Sequence, residues 1–181
     1  MTTQILISGF GGQGVLFAGK FIAYKGLLEE KEVSWLPSYG PEMRGGTASC
    51  SIIISDEAVG SPIIANPDVL IAMNLPSLDK YEPACVPGAK LFLDETLITR
   101  KVTRTDVEAF YIPATQLARD AGIPTLGNMI LAGNMIRETG IVAMEGVEEV
   151  LKKVISAKHA DLLQANLHAL QIGYQYTKEM L

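Results

Sequence analysis

Two glycine-rich segments carry the spacings best suited to ligand chemistry: Gly9-Phe10-Gly11-Gly12-Gln13-Gly14 and Ser38-Tyr39-Gly40-Pro41-Glu42-Met43-Arg44-Gly45-Gly46. In the first, Gly9, Gly11, Gly12, Gln13 and Gly14 have the composition of an anion cradle. Glycines allow a tight turn and close approach of the backbone, and the free N–H groups of a following helix face any bound phosphate. A phosphate-bearing ligand such as coenzyme A fits that description, and so does a nicotinamide dinucleotide. The same turn also serves simple packing of a helix on a sheet. The dinucleotide reading further requires an acidic residue about twenty positions on to hold a ribose. The strand at that point, Val33-Ser34-Trp35-Leu36, runs instead into Pro37 and Ser38, and Glu29, Glu30 and Glu32 precede it.

The second segment reads as a recognition loop. Pro41 fixes the backbone, Gly45 and Gly46 free it again, and the forked donors of Arg44 suit a phosphate or a partner's carboxylate. Trp35, Tyr39 and Met43 lie within a few residues of Arg44, and aromatic residues, Met and Arg are enriched at interface cores. A local Glu42–Arg44 contact is the plainer alternative. Tyr39, Gly40, Pro41, Glu42, Met43, Arg44, Gly45 and Gly46 are therefore candidates for partner or substrate recognition.

No residue set announces catalysis. Asp94 and Glu95 follow a strand, where an acid or base belongs, but where helix caps are ordinary as well. Ser8, Ser38 and Ser77 have no histidine close in sequence. His159 and His168 are expected on the last helix at a spacing poor for a shared metal, and no metal site is expected. Cys50 and Cys85 are the only cysteines. Two thiols cannot hold an iron–sulfur cluster that needs about four cysteine ligands, and a disulfide is not expected in a chain without secretory features.

The elements around these residues alternate. Ile5-Leu6-Ile7 reads as a buried strand, and the apolar spacing after Gly14 is helical. Further strands are expected at Val33 to Leu36, Thr47 to Ser55, Val69 to Met73, Lys90 to Leu93 and Val107 to Ile112. Helices are expected at Leu75 to Tyr81, at Ala114 to Ala121, at Asn128 to Thr139 with Asn128 as its N-cap and Gly140 as its stop, and at Met144 to Ile155. A last long helix is expected from Lys158 to Met180. This order predicts an α/β fold, a three-layer α/β/α sandwich with a mostly parallel, Rossmann-like central sheet, formed as one domain over residues 1–181.

Hydrophobic residues make up 48% of the chain, enough for a substantial core, and the net charge is −5. That balance speaks against nucleic acid, which requires a basic face, since the one basic cluster is Arg100-Lys101-Val102-Thr103-Arg104. No run is long and apolar enough for a membrane helix, so no membrane association and a cytoplasmic location are expected.

Gly9 to Val15, Ser38 to Gly46 with Thr47-Ala48, and Asp68-Val69-Leu70-Ile71-Ala72-Met73-Asn74 together resemble the recurrent segments of gamma subunits of 2-oxoacid:ferredoxin oxidoreductases. The resemblance extends over essentially the whole chain. Tyr39-Gly40-Pro41-Glu42-Met43-Arg44 looks more like the 2-oxoglutarate or branched-chain (ketoisovalerate) type than the pyruvate type. The resemblance implies a complex that decarboxylates a 2-oxoacid oxidatively on thiamine diphosphate and Mg, passes electrons through [4Fe–4S] clusters to ferredoxin, and transfers the acyl group to coenzyme A. It places those cofactors in partners, the alpha and beta subunits and a ferredoxin-like delta subunit. This chain would complete the complex, help shape the approach of coenzyme A, and be inactive when isolated, with self-association into a homodimer open to it. A stand-alone nucleotide-binding oxidoreductase and a purely structural assembly subunit are the alternatives.

Overall fold

The computed structural model describes residues 1–39 and 47–177. Its centre is a six-stranded sheet in the order β2-β3-β1-β4-β5-β6, built from β1 (Thr2–Phe10), β2 (Glu32–Tyr39), β3 (Thr47–Ser55), β4 (Val69–Ala72), β5 (Lys90–Asp94) and β6 (Glu108–Ile112). Strands β1, β4, β5 and β6 are mutually parallel. β3 is antiparallel to both β1 and β2, so it is the single reversed strand and the expectation of a mostly parallel sheet holds. The reversal follows from length: residues 40–46 are fewer than the roughly dozen that a parallel crossover needs.

The helices are α1 (Val15–Leu28), α2 (Leu75–Tyr81), α3 (Ala114–Asp120), α4 (Gly127–Thr139), α5 (Val147–Val154) and α6 (Leu163–Gln175), with 3-10 turns at Glu82–Ala84 and Ala157–Leu162. One face of the sheet, carrying Ile5, Ile7, Ile52, Ile54, Ile71 and Phe92, joins Phe21, Ile22, Met129, Ile130, Leu151 and Leu170 in the larger core. The opposite face is covered more thinly. Leu6, Leu70, Leu91 and Leu93 pack there on Leu78, Cys85, Ala89 and Ile98, and this second core takes no residue from β2 or β3.

The long final helix expected from Lys158 is broken. Residues 157–162 form a 3-10 turn in which His159 has non-helical angles, and α6 starts only at Leu163. Lys158, His159, Ala160 and Asp161 are all exposed, so they offer no apolar face whose burial would hold a helix together. His159 and His168 are consequently not on one helix. The helix expected from Met144 likewise begins later, at Val147, because Gly146 enters it in the left-handed region with φ 78°.

Helices α4 and α6 cross with their backbones in contact. A Cβ on Gly133 would run into the Leu170 carbonyl, and one on Gly173 into the Ile130 carbonyl. The crossing is tied by Asn134 Nδ2, which donates to the Gly173 and Tyr176 carbonyls at 3.1 and 3.2 Å, and by Arg137 Nη1, which donates to the Tyr176 carbonyl at 2.9 Å.

Under the thinner face, Glu82 fastens the segment leading to β6. Its buried carboxylate accepts from Thr103 N at 2.6 Å, Thr103 Oγ1 at 2.8 Å and Arg104 N at 3.1 Å, and Arg100 pairs with it at 2.8 Å. Burial pushes the Glu82 carboxyl upward, but the Thr103 hydroxyl, the Arg100 guanidinium and the two backbone N–H groups outweigh it and hold the group below its ordinary value of 4.5. A carboxyl depressed in the folded state adds stability above the unfolded pKa and loses it as pH falls through the folded one. Glu82→Gln is therefore expected to cost about 2 kcal/mol at neutral pH, and denaturant titrations below pH 4.5 should show a shallower acid decline than in the parent.

Candidate functional site

The site grows from the end of β1. Gln13 N donates to the Phe10 carbonyl at 3.1 Å and closes a turn. The Gln13 side chain then works in two directions: Oε1 accepts from Phe10 N at 2.6 Å and Nε2 donates to the Met73 carbonyl at 3.1 Å. Met73 directly follows β4, the parallel neighbour of β1. The chain leaves β1 toward β2 on one side of the sheet, while β4 to β6 build the other, so the β1/β4 junction is the topological switch point where open α/β sheets usually admit a ligand. Here Gln13 spans that crevice. Gly9 belongs to the same brace, since a Cβ there would lie 2.6 Å from Gln13 Oε1 and 3.0 Å from Met73 Cβ.

The other side of the loop is open. Gly12, Gly14 and Phe17 line a cleft of about 350 Å³ together with Thr125, Leu126, Asn128, Val154, Ile155, Ser156, His159, Leu162 and Asn166. Three helices begin at this cleft: α1 after Gly14, α4 after Leu126 and α6 after Leu162, and no side chain caps any of them. The starts of α1 and α4 leave backbone N–H groups without helical partners and carry the positive end of a helix dipole, whereas α6 continues from the 3-10 turn, with Leu163 N donating to the Ala160 carbonyl. Among the described residues no carboxylate lines the cleft. The arrangement favours an anion, with Phe17, Leu126, Val154, Ile155 and Leu162 offering apolar walls.

Two glycines of the loop are fixed by conformation. Gly12 has φ 97° and Gly14 φ 74°, and a Cβ on Gly14 would strike the Asn128 amide. Asn128 is not the N-cap expected of it. It lies inside the first turn of α4, is 3% exposed, and donates through Nδ2 to the Gly14 carbonyl at 3.0 Å. Asn166, 2% exposed, similarly donates to the Leu162 carbonyl at 2.9 Å. Both side-chain oxygens, Asn128 Oδ1 and Asn166 Oδ1, are covered and unpartnered. Buried polar atoms are rarely left so, and the cleft thus combines anion-seeking helix starts with two acceptors that lack an N–H or O–H.

Other candidates fall elsewhere. Asp94 accepts from Thr115 N at 3.2 Å and Thr115 Oγ1 at 2.5 Å at the start of α3, the capping role of the two open to it. Ser8 and Ser77 hydrogen-bond each other at 2.9 Å rather than a histidine. Tyr39 pairs through its backbone with Ala48, while Gly40, Pro41, Glu42, Met43, Arg44, Gly45 and Gly46 lie outside the described residues. Asn166 escaped sequence reasoning altogether, since only the fold brings it beside the glycine loop.

The cysteines are buried in different cores, Cys50 with the larger and Cys85 with the smaller. Burial pushes the Cys50 thiol up to about 12 and the Cys85 thiol up to about 11. Because the thiolate is the reactive form, a thiol titration of the native protein with an aromatic disulfide reagent at pH 8 should show no fast-reacting group, and both thiols should react once the chain is unfolded.

Residues 4–176 match the profile of the pyruvate ferredoxin/flavodoxin oxidoreductase family. The chain belongs to that family. It is 37% identical over 97% of its length to the ketoisovalerate oxidoreductase subunit VorA of Methanothermobacter thermautotrophicus, of which it spans only 36%. It is 34% identical over 99% of its length to the 2-oxoglutarate synthase subunit KorC of Methanocaldococcus jannaschii and spans 96% of that protein. The solved gamma subunit of a keto/oxoacid ferredoxin oxidoreductase from Geobacter sulfurreducens superimposes with a TM-score of 0.81 at 28% identity, covering 96% of each chain. The first two of these relatives are named as subunits and the third as a gamma subunit, and the present chain is a gamma-type member of the family. Among the described residues no helix is long and apolar enough to cross a membrane, and no cluster of three or more His, Cys, Asp or Glu is placed to hold a metal.

Proposed function

We propose that this chain serves a complex that oxidatively decarboxylates a 2-oxoacid, of the 2-oxoglutarate or branched-chain type, to an acyl-coenzyme A with electrons passed to ferredoxin, and that its cleft faces coenzyme A. The observation that carries the second part is the convergence of the uncapped starts of α1 and α4 on one cleft beside the glycine loop, with no carboxylate among its described lining residues. Coenzyme A is unusual in carrying both phosphates, which helix N-termini favour, and amide N–H groups along an otherwise apolar arm, which Asn128 Oδ1 and Asn166 Oδ1 lack. Both oxygens are covered in the free chain, so pairing with them requires the cleft walls to move. Gly9, Gly11, Gly12, Gln13 and Gly14 then divide their work. Gln13 and Gly9 brace the loop, and the open side at Gly12 and Gly14 meets the ligand.

Thiamine diphosphate with Mg, and the [4Fe–4S] clusters, belong in this reading to alpha, beta and ferredoxin-like delta subunits. Cys50 and Cys85, buried in separate cores, are unsuited to share a cluster, and this chain's own contribution is to bind and orient. The Tyr39 to Gly46 segment is assigned to recognition of a partner or of the substrate. A stand-alone dinucleotide enzyme is disfavoured, because Gln13 lies across the crevice such a cofactor would enter.

The test is recovery of the tagged chain from its own host, followed by coenzyme A-dependent viologen reduction with a panel of 2-oxoacids. The reading predicts thiamine- and cluster-bearing subunits in the preparation and highest activity with 2-oxoglutarate or a branched-chain oxoacid. Recovery of a lone protein without such subunits would refute it.

A further inference from the structure

From the cavity between β6 and the end of α4 we infer a second ligand site, one that takes a free α-amino acid with an apolar side chain. The cavity holds about 430 Å³, a size suited to a small molecule. β6 is the last strand of the sheet. Its Phe110 and Ile112 supply the apolar side of the cavity, and Asn134, Arg137 and Glu138 of α4 supply the polar side together with Tyr176. Asn128, at the start of the same helix, lines the cleft beside the glycine loop. The two sites therefore lie at opposite ends of α4, and the inference does not depend on what the first one binds.

Its polar groups are left over from the fold. Asn134 is 3% exposed and spends Nδ2 on the Gly173 and Tyr176 carbonyls. Those two bonds fix which way the amide points, and Oδ1 is buried with no donor. Tyr176 is 8% exposed, and its hydroxyl is likewise buried and unpartnered. Burial, and after it the charge of Glu95, push the phenol above its ordinary value of 10.0, so it remains an O–H. Arg137 commits Nη1 to the Tyr176 carbonyl at 2.9 Å and faces Glu138 through Nε at 3.5 Å, which leaves Nη2 without a partner among the described residues. The Arg137–Glu138 pair is loose and partly exposed, so it holds little energy against an incoming ligand. Buried polar atoms are rarely left unpaired, and two of them line one cavity here.

A zwitterion answers all four groups. Its carboxylate accepts from Arg137 Nη2 and the Tyr176 hydroxyl, its ammonium donates to Asn134 Oδ1 and the Glu138 carboxylate, and its side chain lies against Phe110 and Ile112. A 2-oxoacid would suit Arg137, but it has no N–H for Asn134 and sets its charge against Glu138. A simple amine would leave Arg137 and Tyr176 unanswered. Since Asn134 Oδ1 and the Tyr176 hydroxyl are covered in the empty chain, a wall must move to admit the ligand. The Tyr176 ring is that wall. Tyr176 leaves α6 with extended angles, φ −63° and ψ 124°, and its carbonyl is pinned by Asn134 and Arg137, so the ring turns about a fixed backbone.

The experiment is calorimetric titration of the full purified chain with L-leucine and L-phenylalanine, and for comparison with ketoisocaproate, which has leucine's side chain but a keto group for the ammonium, and with isoamylamine, which lacks the carboxylate. Saturable binding of at least one amino acid is expected, with each comparison compound weaker by roughly tenfold or more, the usual worth of a charge-assisted bond. Arg137→Gln should weaken the amino acid by a similar factor. Tyr176→Phe should weaken it by roughly five- to tenfold without lowering the melting temperature, because the hydroxyl it removes has no partner in the empty chain. A merely structural Tyr176 hydroxyl would instead lower the melting temperature and leave binding alone, which would overturn its role. Absence of saturable binding by both amino acids would overturn the site, and ketoisocaproate or isoamylamine binding as tightly as leucine would overturn the assignment to a zwitterion. None of these outcomes bears on the subunit reading, which is tested in the assembled complex.

Discussion

Gly173→Ala is expected to lower stability by about 3 kcal/mol, the upper part of the usual cost of overpacking a core, and the melting temperature by roughly 6 to 12 °C for a chain of this size. The substitution by itself favours a helix by about 1 kcal/mol, so the loss must come from the crossing. The new methyl would meet the Ile130 carbonyl carbon at 2.7 Å and Asn134 N at 3.0 Å, both backbone atoms of α4 that no rotamer change can move. The helices would have to separate, weakening the bonds from Asn134 to the Gly173 and Tyr176 carbonyls. Gly60→Ala is the control, because a Cβ there meets nothing within 4 Å, and it should stay within about 0.5 kcal/mol of the parent. Since α4 and α6 both begin at the cleft, the Gly173 variant should also weaken coenzyme A in whatever complex still assembles. Thermal unfolding followed by circular dichroism measures the first effect, and equal melting temperatures for the two variants would show that the helices are not in backbone contact.

Thr125→Glu is the corresponding probe of the cleft. Thr125 is exposed at the rim, just before α4, where a carboxylate leaves the fold intact and is even favoured by the helix dipole. The same charge repels a phosphate arriving at the starts of α1 and α4. In the assembled complex, KM for coenzyme A is expected to rise at least tenfold, about 1.4 kcal/mol of lost binding, with kcat and KM for the 2-oxoacid unchanged. The rise should shrink at high salt, because the charge is exposed and screened. Thr125→Gln, similar in shape and neutral, should behave as the parent. If both variants kept the parental KM for coenzyme A, the phosphate would have to bind elsewhere.

The frame of this molecule is legible in its residues. Ile5 to Ile7, the glycine run and the apolar spacing after Gly14 predict strand, turn and helix, and Gly140 ends its helix with a left-handed φ of 60° as expected. What escaped is whatever depends on distant partners. Gln13 reads as one more loop residue until the β1/β4 pairing sets Met73 beside it. Asn128 has the type and place of a helix cap, but the Gly14 carbonyl, far away in sequence, claims its amide. The cleft draws on segments around residues 12–17, 125–128 and 154–166, and no local spacing reports such a meeting. The break before α6 was hidden for a different reason. Helical propensity is tolerable through 158–161, and only the absence of anything to pack against removes the helix.

The claim that the cleft faces coenzyme A is tested most directly by amide hydrogen exchange of the assembled complex with and without that ligand. The N–H groups that open α1 and α4, at Val15, Leu16, Phe17, Gly127 and Asn128, are the ones an incoming phosphate would occupy. The account predicts that coenzyme A slows exchange in peptides covering residues 12–18 and 125–129, that the 2-oxoacid alone does not, and that Thr125→Glu abolishes the protection. Unchanged exchange in both peptides, in a complex that turns over with coenzyme A, would contradict it.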